Sequence, residues 1–136
     1  MSETLTIAVS GMKAAVARVM NAASNLVNAS STGRLPSTSG EKATSYQPTD
    51  VVTLSDSAGD NNLGVHTKVV ARDPAYTVAP DPRSPDANTQ GLVAAPNVDI
   101  ASELIDMKMA ELSYKANARV IRAQTNMDKD LLDTLA

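Results

Sequence analysis

Residues 5–26 read LTIAVSGMKAAVARVMNAASNL, and this stretch decides the fold class. Leu5, Val9, Met12, Val16, Val19, Ala23 and Leu26 recur at alternating steps of four and three, a heptad seam with no polar residue on it. The spacing predicts a helix over 3–28, about 39 Å long at 1.5 Å per residue. Asn21, Asn25 and Asn28 fall on a neighbouring face. Asparagine is a mediocre helix former that often ends helices, so one reading is a helix fraying into Ser30-Ser31-Thr32-Gly33. The other is a polar stripe that sets register against a partner, as a buried Asn does in coiled coils.

The opposite end of the chain carries a second helical pattern. Pro96-Asn97-Val98-Asp99 precedes it, with Asp99 as N-cap and Glu103 and Asp106 early, where carboxylates suit the helix dipole. The seam runs Ile100, Leu104, Met107, Tyr114, Ala118 and Ile121, broken by Glu111, which is expected at an edge or beside a basic partner. Met127, Leu131, Leu132 and Leu135 follow in shifted phase, as after a stutter. The predicted helix covers 99–134, about 54 Å. Glu111 and Lys115 make a favourable pair four residues apart.

Between the two ends the composition changes. All seven prolines lie between Pro36 and Pro96, and five of the six glycines between Gly33 and Gly91. These are the strongest interrupters of regular structure. Thr44–Leu54, interrupted by Pro48, and Gly64–Arg72 read as strands, with the polar turn Asp56–Asn62 between them. Residues 73–96 hold five prolines and read as an extended strap. The expected organisation is an N-terminal helix (1–29), an irregular or β insert with a strap (30–96) and a C-terminal helix (97–136). The fold class is mainly α. The terminal helices pair as an antiparallel coiled coil, and the Pro-rich insert carries a small β-element.

Composition narrows the function. The 136 residues contain no Phe, Trp or Cys and only three Tyr; 21 of the 58 hydrophobic residues are alanine. A compact core normally relies on aromatic bulk, so a self-sufficient globular enzyme fits poorly. Partner chains are expected to complete the packing. The absence of cysteine removes disulfides, thiolate metal sites and cysteine catalysis. His66 is the only histidine, and the Asp56/Asp60/Asn61/Asn62 cluster lacks the acidic residue that closes a calcium loop. No phosphate loop or hydrolase motif is present, so no catalytic residue, metal or cofactor is expected. The net charge of −3, with scattered basic residues, gives no nucleic-acid footprint. Lys115, Arg119 and Arg122 form a short basic stretch that reads as a solvated face or as a meeting point for an acidic neighbour. No run approaches a bilayer span, and the first residues do not form a cleavable secretory signal.

Several motifs carry a family resemblance. Ile7-Ala8-Val9-Ser10-Gly11-Met12 and Ala23-Ser24-Asn25-Leu26-Val27-Asn28-Ala29 resemble the opening motifs of the axial proteins of the bacterial flagellum, the rod and hook subunits. Val27 stands where that family usually has a small Ala. Pro82, Pro85-Asp86-Ala87-Asn88, Gly91-Leu92-Val93 and Pro96-Asn97-Val98-Asp99 are similar to the strap of its proximal-rod members, and Tyr114-Lys115-Ala116-Asn117 to a motif of the final helix. The resemblance implies a non-enzymatic subunit of the torque-transmitting drive shaft. Its implied partners are itself and other rod proteins, the flagellar export apparatus, and basal-body ring and adaptor proteins. It implies no nucleic acid and no small-molecule substrate. It also implies export from the cytoplasm without a cleaved signal, and helical assembly in the periplasmic part of the basal body. Leu5, Val9, Met12, Val16, Val19, Ala23, Leu26, Asn25, Asn28, Ile100, Leu104, Met107, Tyr114, Asn117, Ala118, Ile121, Met127 and Leu131 are then the expected helix-seam and subunit-interface residues. A helical-hairpin adaptor that forms a finite complex is the alternative on the same seams.

Overall fold

The computed structural model describes residues 3–37, 41–55 and 64–135. The chain runs α1 (Glu3–Val27), β1 (Thr49–Ser55), β2 (Val65–Ala71), β3 (Tyr76–Pro80), β4 (Leu92–Pro96) and α2 (Ile100–Leu135). β1 pairs with β2, and β3 with β4. Two long helices and small two-stranded sheets make the fold mainly α. The turn and the cation loop considered at Asp56–Asn62 lie outside the described residues.

α1 starts and stops within a residue or so of expectation. So does α2, where the Asp99 carboxylate accepts from the Ala101 amide (3.1 Å) and from Ser102 Oγ (2.7 Å). These bonds use an amide that has no partner inside the helix, and they lower the Asp99 pKa, the Ser102 bond contributing most. Glu111, which breaks the apolar seam, accepts from Lys108 Nζ (2.8 Å) and from Lys115 Nζ.

The chain divides into two compact units. The first comprises Met1–Met20, Val51–Lys68 and Asp106–Ala136. Here α1 is tied to the β-element by Ser10 Oγ, which accepts the Val65 amide (3.1 Å), and by Arg18 Nη2, which donates to Thr53 Oγ1 (3.0 Å). It also meets α2, because Gly11 faces Asn117 so closely that a Cβ would lie 2.7 Å from the Asn117 Nδ2. The buried hydrophobic residues of this unit are Ala8, Ala14, Ala15 and Ala110.

The second unit comprises Asn21–Asp50 and Val69–Ile105. The expected strap is in fact an antiparallel hairpin, registered from Tyr76↔Pro96 to Pro80↔Leu92. Its prolines conceal it in the sequence. Pro80 and Pro96 stand at strand ends, where a missing N–H is tolerated, and Pro82 and Pro85 lie in the turn. Asn88 organises that turn: its Oδ1 accepts the amides of Gln90 (2.9 Å) and Leu92 (3.0 Å). Gly91, at φ 75°, takes the left-handed position that only glycine fills without strain. On its other edge β4 bridges to Gly33 through Gly33 N–H to Ala94 O (2.9 Å) and Ala94 N–H to Gly33 O (2.8 Å). A Cβ on Gly33 would collide with the backbone of Thr44 and Ser45. Val93, Ala94, Pro96, Pro48 and Ala22 are buried in this unit.

Candidate assembly interface

The chemistry of this chain lies in what it leaves uncovered. Twenty large hydrophobic side chains are exposed among the described residues, while the buried hydrophobic set is six alanines and Val93. Burying one Val, Leu or Met side chain stabilises by about 1.5–3 kcal/mol, and the chain alone forgoes most of that gain. An exposed apolar surface on this scale marks an interaction site.

The expected seam residues fall into two groups. Leu5, Met12, Val19, Ala23 and Leu26 on α1, and Met107, Asn117, Ala118 and Ile121 on α2, are half-buried. Val9, Val16, Ile100, Leu104, Tyr114, Met127 and Leu131 are exposed. The face that α1 buries within the chain lies one residue earlier, at Ala8, Ala15 and Ala22. Methyl-sized side chains let neighbouring backbone approach closely, so they occupy the inner face, and the bulkier valines remain outside. In the first unit Val9, Met12, Lys13, Val16, Tyr114 and Ile121 line an open apolar groove of about 380 Å³.

The asparagine stripe has a definite role in the second unit. Asn25 is fully buried. Its Nδ2 donates to the Thr49 carbonyl (2.8 Å) and to Glu103 Oε1 (3.0 Å), and its Oδ1 accepts from Tyr46 OH (3.1 Å) and the Thr49 amide (3.2 Å). Asn21 Nδ2 reaches the same Thr49 carbonyl (2.7 Å), and Thr49 Oγ1 donates back to Asn21 Oδ1 (2.6 Å). Asn28, half-buried and just past the end of α1, donates to the Ser24 carbonyl (2.9 Å) and accepts from Ser31 Oγ (3.4 Å).

Glu103, also buried, accepts from Arg72 Nη2 (2.9 Å). The same guanidinium forks onto Asp50 (2.5–3.2 Å) and donates through Nη1 to the Asn97 carbonyl (2.9 Å). The Asp50 hydrogen bond, opposed by desolvation and reinforced by Glu103, holds the Arg72 pKa above its ordinary value. One cluster therefore joins α1, β1, Arg72 just beyond the end of β2, and α2. No buried side-chain nitrogen or oxygen among the described residues lacks a partner. Such closure is what lets a polar core specify one arrangement.

Arg72 and Asp50 were not among the expected site residues, and Glu103 was expected as a dipole carboxylate near the start of the helix. The i, i+4 pair Asn21/Asn25 was the available signal that something polar docks on that face. His66 stands exposed on β2. Among the described residues no group of three or more His, Asp or Glu side chains could hold a metal ion, and no helix is long and apolar enough to cross a membrane.

Comparison with known proteins agrees with a surface built for assembly. The family described as flagellar basal body rod FlgEFG protein C-terminal matches residues 89–134. The flagellar basal-body rod protein FlgC of Agrobacterium fabrum is 32% identical over 138 residues, covering 99% of this chain and 95% of its own. That of Salmonella typhimurium is 33% identical over 123 residues, covering 89% and 87%. That of Bacillus subtilis is 35% identical over 71 residues, covering 52% and 47%.

Proposed function

The chain belongs to the FlgC family of flagellar basal-body rod proteins, and from that membership we propose how it enters the shaft. It is a structural subunit of the proximal rod, in the flagellar basal body, and not an enzyme. In this reading α1 and α2 form an antiparallel coiled-coil pair. The descending order of their contacts supports it: Gly11 faces Asn117, and Asn25 faces Glu103. The pair packs against neighbouring rod subunits in a helical array that carries torque across the periplasm. The half-buried and exposed seam residues form the subunit contacts. The chain reaches that place through the flagellar export apparatus without signal cleavage, and the finished rod meets ring and adaptor proteins of the basal body.

The observation that carries this reading is the inversion of the usual packing, with alanines inside and valine, leucine and methionine outside. Many small repeated contacts between identical helices share an axial load, and no single chain has to supply a large core.

Val16→Asp tests it. Val16 is 44% exposed, so the free chain tolerates a carboxylate there. Buried in a subunit contact, the unpaired charge costs several kcal/mol in every copy. The expected outcome is a variant with unchanged far-UV circular dichroism that is exported but builds no rod in cells lacking the native copy. Normal swimming would remove Val16 from the interface.

A further inference from the structure

The stretch of α2 from Lys108 to Met127 carries two exposed stripes, side by side on the face turned away from its own chain. At 100° per residue, Met109, Leu112, Ala116, Val120, Ala123 and Met127 fall within an arc of about 80°. All six are exposed, Met109 by 59%. Lys108, Lys115, Arg119 and Arg122 fill the adjoining arc, about 60° wide, and are exposed as well. Buried Ala110 and half-buried Asn117, Ala118 and Ile121 occupy the opposite side. No acidic residue enters either arc before Asp130, which falls in the apolar one, and Asp133, which falls in the basic one. The double stripe therefore ends at Met127, about 27 Å along the helix from Met109. It lies wholly within the first compact unit.

The charge on this face runs against the rest of the chain. The net charge is −3, yet residues 108–127 hold four cations and a single carboxylate, Glu111. Lys108 and Lys115 share Glu111. Arg119 and Arg122 make no ion pair among the described residues.

An apolar stripe beside a basic one calls for a partner that is apolar beneath an anionic layer. An anionic bilayer has that order, with acyl chains below and phosphates above. Long Lys and Arg side chains reach up to the headgroups while Met, Leu and Val enter below them. A helix ridge meets fluid lipid without needing a preformed groove in its partner. Two of the six apolar residues are alanine and none is aromatic, so apolar entry alone is weak and the phosphate contacts are required.

We propose that this face of α2 holds a free copy of the chain on an anionic lipid surface, with the helix lying in the plane of the interface. The contact needs one copy only, so it goes beyond the rod-subunit reading and does not rest on it. The full chain is floated with vesicles at a concentration where sedimentation gives single copies. The vesicles are phosphatidylcholine alone, or phosphatidylcholine and phosphatidylglycerol in equal parts. Binding is expected to the second kind, at least about tenfold weaker to the first, and weaker as salt rises. Each cation near such a surface contributes about fivefold, so Arg119→Gln with Arg122→Gln should weaken binding about thirtyfold. Lys42→Gln with Arg83→Gln makes the same charge change in the other unit and should alter it by less than about twofold. Leu112→Gln with Val120→Gln, or Met109→Gln with Met127→Gln if the first pair unfolds, should weaken it at least about tenfold. The proposal is overturned by binding to neither vesicle, by equal binding to both, or by equal losses from the two charge pairs. It is also overturned if a folded apolar pair binds like the unaltered chain. If soluble polyglutamate then holds the chain as tightly as the anionic vesicles do, the basic stripe faces an acidic protein instead. None of these results touches the rod reading, which is tested by swimming.

Discussion

Replacing Arg72 by alanine should expose how the buried cluster is held. The Glu103 side chain is only 3% exposed, and its cation is the Arg72 guanidinium at 2.9 Å. Without Arg72 the carboxylate keeps the Asn25 amide and no positive charge. Removing one partner of a buried ion pair typically destabilises by about 3–5 kcal/mol. The lost Asp50 contact adds little, because the Asp50 side chain is 45% exposed and water screens it. The lost bond to the Asn97 carbonyl adds about 1 kcal/mol. Partial access of water to the emptied Arg72 site lowers the total, so about 3 kcal/mol is expected, a large share of the roughly 5–15 kcal/mol of a typical domain. Urea unfolding followed by far-UV circular dichroism measures it, at one fixed protein concentration because assembly stabilises the folded chain. The decisive variant is Glu103→Gln in the Arg72→Ala background. The amide oxygen still accepts from Asn25 but leaves no buried charge, so about 2 kcal/mol should return, within the range of coupling energies for contacting residues. The reasoning is refuted if Arg72→Ala costs under about 1 kcal/mol, or if Glu103→Gln recovers nothing on top of it.

Other perturbations test separate parts of the molecule. Glu111 is held down to about 2 by Lys108 and then Lys115, against an ordinary value of 4.5. A depressed carboxylate supports the folded state fully above its unfolded pKa and loses that support as pH falls through the folded one. Helicity of α2 should therefore decline between about pH 4.5 and 2, less steeply in high salt, and Glu111→Gln should flatten that part of the circular dichroism titration. Gly33→Ala drives a methyl into the Thr44–Ser45 backbone and breaks the two-bond bridge to Ala94. A loss of about 2–3 kcal/mol in urea unfolding is expected from overpacking plus the lost bonds. An unchanged midpoint would mean that the loop moves aside freely.

The parts of the fold that could be read from the residues alone are those decided within a few turns of chain. The proline-free ends become helices because nothing in them interrupts a helix, and Asp99 starts α2 because its carboxylate reaches the amide two residues ahead and the hydroxyl three residues ahead. Val65–Ala71 forms a strand as its alternation requires. The motifs Pro85-Asp86-Ala87-Asn88 and Ala23-Ser24-Asn25 pointed to the family before their physical roles, a turn scaffold and a buried register lock, were visible.

What remained for tertiary structure is what depends on partners distant in the chain. The β3–β4 hairpin was hidden because proline counts against a strand unless its position at a strand end is known. The choice of Ala8, Ala15 and Ala22 over Val9 and Val16 for the inner face of α1 was also hidden. Periodicity registers the large side chains, whereas close helix approach selects the small ones. Arg72, Asp50 and Glu103 lie far apart in sequence, and Glu103 looks like an ordinary surface charge until folding removes its water and leaves it Arg72 and Asn25 as partners. Local preference can be read from neighbouring residues, but the desolvation of a charge is a property of the assembled surroundings, and only the folded chain supplies those.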